Sequence, residues 1–230
     1  MNSHLRHDLE TLKDKLLVLA TYVEENMRLS VKALLTLSED LAEKVVKKDL
    51  EIDKVEVQME EECLKILALH QPVASDLRFV VTVLKINNEL EHIGDMAANM
   101  AKRIPFIKRC PTAYIPFDIE DMSVRTIEML KTAIDAFTTE NELLAVKVCS
   151  DDDNIDTIMR NCYQAAESEM ENKGNMGTVN YLLICKSFER IADLCTNIAE
   201  DIIYMRHSII VRHNLSEAVK SIAAENETKL

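Results

Sequence analysis

Apolar residues recur at three- and four-residue intervals through most of the chain, a period that predicts long amphipathic helices rather than strands. The first run covers about 5–37, the second 40–69 and the third 75–107, and three more follow at about 118–138, 140–172 and 176–207. Leu41, Val45, Ile52, Met59, Cys63 and Ile66 form one stripe. Val80, Leu84, Leu90, Ile93, Ala97, Met100 and Ile104 form another. The segment Arg109-Cys-Pro-Thr-Ala-Tyr-Ile-Pro-Phe-Asp118 carries two prolines and interrupts the pattern, so it reads as a linker. After it, Asp118 has the form of an N-cap and Thr139-Glu-Asn-Glu142 that of a capping box. The predicted fold class is all-α: six helices in two tandem, repeated three-helix bundles. The first bundle spans 1–108, the linker 109–117, the second bundle 118–207 and a polar tail 208–230.

The repeat shows most clearly in its polar positions. Glu91-His-Ile-Gly-Asp95-Met-Ala-Ala-Asn99 returns 98 positions later as Glu189-Arg-Ile-Ala-Asp193-Leu-Cys-Thr-Asn197. Upstream, Asp49-Leu-Glu-Ile-Asp53 matches Asp152-Asp-Asn-Ile-Asp156 at an offset of 103, because the intervening turn is five residues shorter in the second half. Four-residue spacing stacks these side chains one turn apart on a single helix face.

Symmetry about the turns brings the pairs together. Asp53 and Glu91 are equidistant from Pro72, as are Asp49 and Asp95; Asp156 with Glu189, and Asp152 with Asp193, are centred beside Lys173. Antiparallel helices folding back at those turns would set these carboxylates at matching heights. Mirroring again about the preceding turns adds Glu25 and Glu128, themselves 103 apart. Each half is thus expected to gather five carboxylates from three helices: Glu25, Asp49, Asp53, Glu91 and Asp95, then Glu128, Asp152, Asp156, Glu189 and Asp193. Such sets repel unless solvated, protonated or neutralised by cations. Two readings stand side by side, a metal centre in each half and a solvated acidic face. An all-oxygen donor set suits hard cations over soft ones, and the candidate metals are Mg, Mn, Fe or Zn. His92 could add a nitrogen, but Arg190 replaces it in the second half, and a surface histidine is the simpler expectation.

Composition narrows the class. Glycine, proline and aromatic residues are few and tryptophan is absent, as expected of a helical protein. The net charge of -13 argues against nucleic-acid partners, and the cluster from Lys102-Arg103 to Lys108-Arg109 is too short to change that. No apolar run is long enough for a membrane span and no leader opens the chain, so a cytoplasmic protein is expected. Six cysteines lack CxxC spacing and read as reduced core thiols. Glycine-rich phosphate loops and nucleophile motifs are missing, so the chain does not read as an enzyme.

His70-Gln-Pro-Val-Ala-Ser-Asp-Leu-Arg78, both Glu-x-Ile-(Gly/Ala)-Asp-x-x-x-Asn stretches and the acidic pairs Asp49/Asp53 and Asp152/Asp156 together resemble the PhoU family of bacterial phosphate-transport regulators. The resemblance covers about residues 5–207. It implies tandem three-helix bundles, metal held by the acidic motifs, and a non-enzymatic adaptor. The implied partners are the ATPase subunit of a phosphate ABC transporter and a phosphate-sensing histidine kinase. It also implies negative regulation of phosphate uptake and of the starvation response. Together with the long, Leu- and Met-rich helices, it leads to the expectation of a homodimer. Where family members often carry Arg and His within the motif, this chain has His92, Met96 and Leu194. Asp76 is expected to favour the start of the third helix and Arg78 to pair with a neighbouring acid. An alternative class is a di-iron carboxylate oxidase or iron-storage bundle, suggested by Glu89-Leu-Glu-His92. Such a site needs Glu-x-x-His twice, and the second half has Ser187 and Arg190 in those places.

Overall fold

The structure, a computed structural model, describes residues 3–110, 118–173 and 176–211. Six long helices carry the fold: α1 (Ser3–Thr36), α2 (Glu39–His70), α3 (Ala74–Ala101), α5 (Ile119–Thr139), α6 (Glu142–Lys173) and α7 (Met176–His207), with the five-residue α4 (Ile104–Lys108) following α3. The third periodic run therefore stops before its expected end. Pro105 cannot donate to the carbonyl one turn back and its ring crowds that turn, so α3 closes at Ala101 and a new short helix opens with proline in its first turn.

Caps fix the other boundaries. The Ser38 hydroxyl accepts from the Leu41 amide and Gln71 ends α2 in the left-handed region at φ 46°. Asp118 accepts from the Asp121 amide at 2.9 Å, as expected. Thr139 does not cap α6. Its hydroxyl donates back to the Asp135 carbonyl, and the Asn141 side chain accepts from the Leu143 amide at 2.9 Å instead. Glu140 takes the left-handed conformation between the helices, which leaves Thr139 inside α5.

Helices α1, α2 and α3 pack as one bundle and α5, α6 and α7 as another, but α3 also lies along α7 as extensively as along its own neighbours. Its sequence shows why. Twelve of its 28 residues are buried, against seven of 32 in α2, so neighbours cover more of its circumference. Polar contacts set the register of that seam. Lys85 Nζ meets Asp201 Oδ1 at 2.6 Å beneath the Tyr204 ring, and the Asn197 amide reaches Glu89 at 3.5 Å. Arg78 is part of the same junction. It donates from Nε to the Met205 carbonyl at 3.3 Å and does not pair with the acid that sequence reasoning expected, because the exposed carbonyl end of α7 lies closer. Asp76 does lie in the first turn of α3.

Candidate metal centre

Antiparallel packing of α2 on α3 places the acidic residues where the repeat symmetry put them. Asn87 donates to the Glu56 carbonyl at 3.0 Å, and Asp49 Oδ1 lies against Gly94; both pairs centre midway between residues 71 and 72. Asp49 is the most buried acid of this seam, only 6% exposed. Its Oδ1 is buried with no hydrogen-bond partner. Glycine at 94 makes room for it, since a Cβ there would stand 3.3 Å from both that oxygen and Ile52. Burial raises the Asp49 carboxyl to about 6, and the nearby charges of Asp95, Asp53 and Glu91 push the same way. Glu91 is also raised, by burial first and Asp95 second.

The second half repeats the arrangement on α6 and α7. Burial raises Asp152 to about 7, helped by Asp193, Asp156, Asp153 and Glu189. Asp193 is raised by burial and by Glu189, while Arg190, 3.4 Å away, opposes the shift. Glu189 holds Lys186 at 2.5 Å. Four of the five expected carboxylates therefore influence one another in each half.

Glu25 and Glu128 stand apart. Both are exposed, Glu25 is paired with Lys48 at 3.0 Å, and Glu128 approaches Lys147 at 3.9 Å. Mirroring about the α1–α2 turn gives the right height but not the right side of the helix, which depends on where each residue falls around its 100° steps. Among the described residues, no three His, Cys, Asp or Glu side chains converge closely enough to enclose a metal ion in this conformation. His92 is exposed beside Glu91. Glu89 faces Asn197 across the repeat junction, so Glu89 and His92 do not form half of a di-iron site here. Sequence reasoning missed Gly94 as the residue that admits Asp49, although the Gly/Ala difference between the two motif copies was visible. It also missed Lys102, whose charge acts on Asp49.

The raised carboxyls make metal-free stability depend on pH. The folded forms of Asp49 and Asp152 hold protons at pH values where the unfolded chain, near the ordinary aspartate value of 3.8, has lost them. Their contribution is thus full below about pH 4 and is lost as pH rises through 6 to 7. For Asp49 the shift corresponds to about 3 kcal/mol. The melting temperature of chelator-treated protein is expected to rise as pH falls from 8 to 5.5; a flat or falling profile over that window would contradict this electrostatic account.

Comparison with known proteins bears on what these seams belong to. The PhoU domain model matches the chain twice, over residues 16–104 and 119–202. The chain belongs to the PhoU family. The phosphate-specific transport system accessory protein PhoU of Escherichia coli is 30% identical over 224 residues, which is 93% of this chain and 91% of that protein. A PhoU homolog of Clostridium acetobutylicum is 34% identical over 202 residues, 86% of this chain and 92% of the relative. The crystal structure of the phosphate transport system regulatory protein PhoU from Streptococcus pneumoniae superposes with a TM-score of 0.85 at 27% identity, covering 90% of this chain and 99% of that one. PhoU from Pseudomonas aeruginosa gives 0.83 at 31% identity, with 89% and 99% covered. The matched segments fall on the two halves of the sequence repeat, so the tandem organisation is a property of the PhoU fold. No helix among the described residues is long and apolar enough to cross a membrane.

Proposed function

We propose that this PhoU protein is a non-enzymatic accessory protein of phosphate transport whose two acidic seams bind metal ions. The observation that carries the metal reading is Asp49: a carboxylate oxygen buried without a partner, in a space kept open by Gly94, among three more acids. A cation is the group whose charge and oxygen preference fit that arrangement, and the donor chemistry favours Mg, Mn or Fe over Zn. Asp49, Asp53, Glu91 and Asp95 would hold it in the first half, and Asp152, Asp156, Glu189 and Asp193 in the second. Glu25 and Glu128 would join only after leaving Lys48 and Lys147. Bound metal would supply positive charge that offsets carboxylate repulsion; the side chains of α2 and α3, or α6 and α7, would then be tied across each seam.

The names of the relatives support the cellular role, since they are accessory proteins of phosphate-specific transport. In this reading the protein acts in the cytoplasm on the ATPase subunit of the phosphate ABC transporter and on the phosphate-sensing histidine kinase, holding uptake and the starvation response down when phosphate is plentiful. Deleting the gene is expected to leave starvation genes on in rich phosphate, as read by a transcriptional reporter. Normal repression together with normal uptake would contradict the role. We further propose a symmetric homodimer, for which exposed apolar residues such as Leu50, Val57 and Leu64 on α2 provide surface. Light scattering at micromolar concentration should give about twice the chain mass of 26.2 kDa; a monomer alone would remove the claim.

A further inference from the structure

The net charge of -13 predicts that free anions are repelled, yet one cavity gathers cations. It is an open cleft of about 430 Å³ where the two repeats meet, and Arg6, Lys13, Arg78 and Arg206 line it. That volume lies in the range of small-molecule sites. Three acids share the wall, and two of them are already occupied: Glu10 pairs with Arg6 at 3.3 Å and Glu140 with Arg206 at 2.9 Å. Arg78 and Lys13 differ. Each donates to a backbone carbonyl, of Met205 and of Thr138, and neither forms an ion pair among the described residues. The Arg78 bond uses one of five guanidinium donors, which leaves the forked end available. Among the acids that line the cavity, that leaves Asp76 to oppose an anion.

The α3 N-terminus opens at the same place. The first turns of α2 and α5 are closed by the side chains of Ser38 and Asp118, but the α3 N-cap is Val73, which supplies no side-chain acceptor. The Asp76 amide turns back to the Val73 carbonyl at 3.2 Å, so the Ala74 and Ser75 amides are the donors that α3 adds, with the positive end of the helix dipole. Leu9, Phe79 and Met205 give the cavity an apolar floor, with Phe79 stacked on Phe137. Salt screens charges beyond roughly 8–10 Å, so the acidic seams elsewhere do little to the potential here.

We infer that this cavity binds a small organic oxyanion, a phosphate or carboxylate head on an apolar body. The head lies against Arg78, Lys13 and the α3 amides, and the body rests on Leu9, Phe79 and Met205. The inference is independent of the metal reading, and the test keeps them separate. Isothermal titration of the full chain, stripped of metal so that no cation bridges an anion, uses phenyl phosphate and benzoate as probes. At least one should bind with Kd below about 1 mM; the tighter probe identifies the head group. Arg78→Gln and Lys13→Gln should each weaken binding about tenfold. Asp76→Asn should tighten it several-fold, an effect that loss of a structural contact would not produce. Arg125→Gln, on α5 and paired with Asp121, should leave it unchanged. Should Arg78→Gln fail to fold, Lys13→Gln and Asp76→Asn decide the matter. Absence of binding by both probes, or binding that Lys13→Gln and Asp76→Asn leave unmoved, would overturn the inference.

Discussion

Replacing Lys85 with methionine is expected to destabilise the protein by about 3 kcal/mol, more than its surface position suggests. The Lys85 side chain is 37% exposed, but its partner Asp201 is 8% exposed at the centre of the α3–α7 junction. Methionine keeps most of the volume, so packing alone would cost less than about 1.5 kcal/mol. The larger loss comes from leaving the Asp201 carboxylate buried without its cation; the Thr82 hydroxyl reaches only the Asp201 backbone carbonyl, at 3.4 Å. Adding Asp201→Leu should restore most of the loss, because an apolar pair of similar size avoids the desolvation of both charges. Urea melts of the single and double variants read this directly. Equal stability of Lys85→Met and wild type would mean that this ion pair does not hold the repeats in register.

Much of this junction could not be read from periodicity. The spacing of apolar residues gave the six long helices because each buries one stripe, and the repeat gave the seams because turn symmetry fixes height along antiparallel helices. Height is not direction. That is why Glu25 and Glu128 were expected inside and stand outside, while Asp49, Asp53, Glu91, Asp95 and their counterparts influence one another as expected. The contact between halves was hidden for a different reason: α3 and α7 are apolar around more of their circumference, which a search for a single stripe averages away. Local chemistry accounts for the remaining differences. Pro105 ends α3 early, and Asn141 outcompetes Thr139 because Glu140 adopts the left-handed conformation between them.

Chelation is expected to have the other large effect. With metal bound, the repulsion among Asp49, Asp53, Glu91 and Asp95 is neutralised, and a ligand present at 100 times its Kd stabilises the folded state by about 2.7 kcal/mol. Removing metal should lower the melting temperature by several degrees at pH 7.5, and by less at pH 5.5, where protons already relieve part of the repulsion at Asp49 and Asp152. Variants in which Glu91 and Asp95, or Glu189 and Asp193, are both alanine should respond less to chelator than wild type does. Their own metal-free stability should be no lower than that of the wild type at pH 7.5, since each substitution removes charge from a crowded seam.

Elemental analysis of the purified chain, read together with these two double variants, tests the central claim most directly. The account predicts more than one hard divalent or trivalent metal ion per wild-type chain. Glu91→Ala/Asp95→Ala should lose the share held by α2 and α3, and Glu189→Ala/Asp193→Ala the share held by α6 and α7. Metal at background in the wild type after incubation with Mg, Mn or Fe, with unfolding unchanged by metal or chelator, would contradict it and leave the two seams as solvated acidic faces.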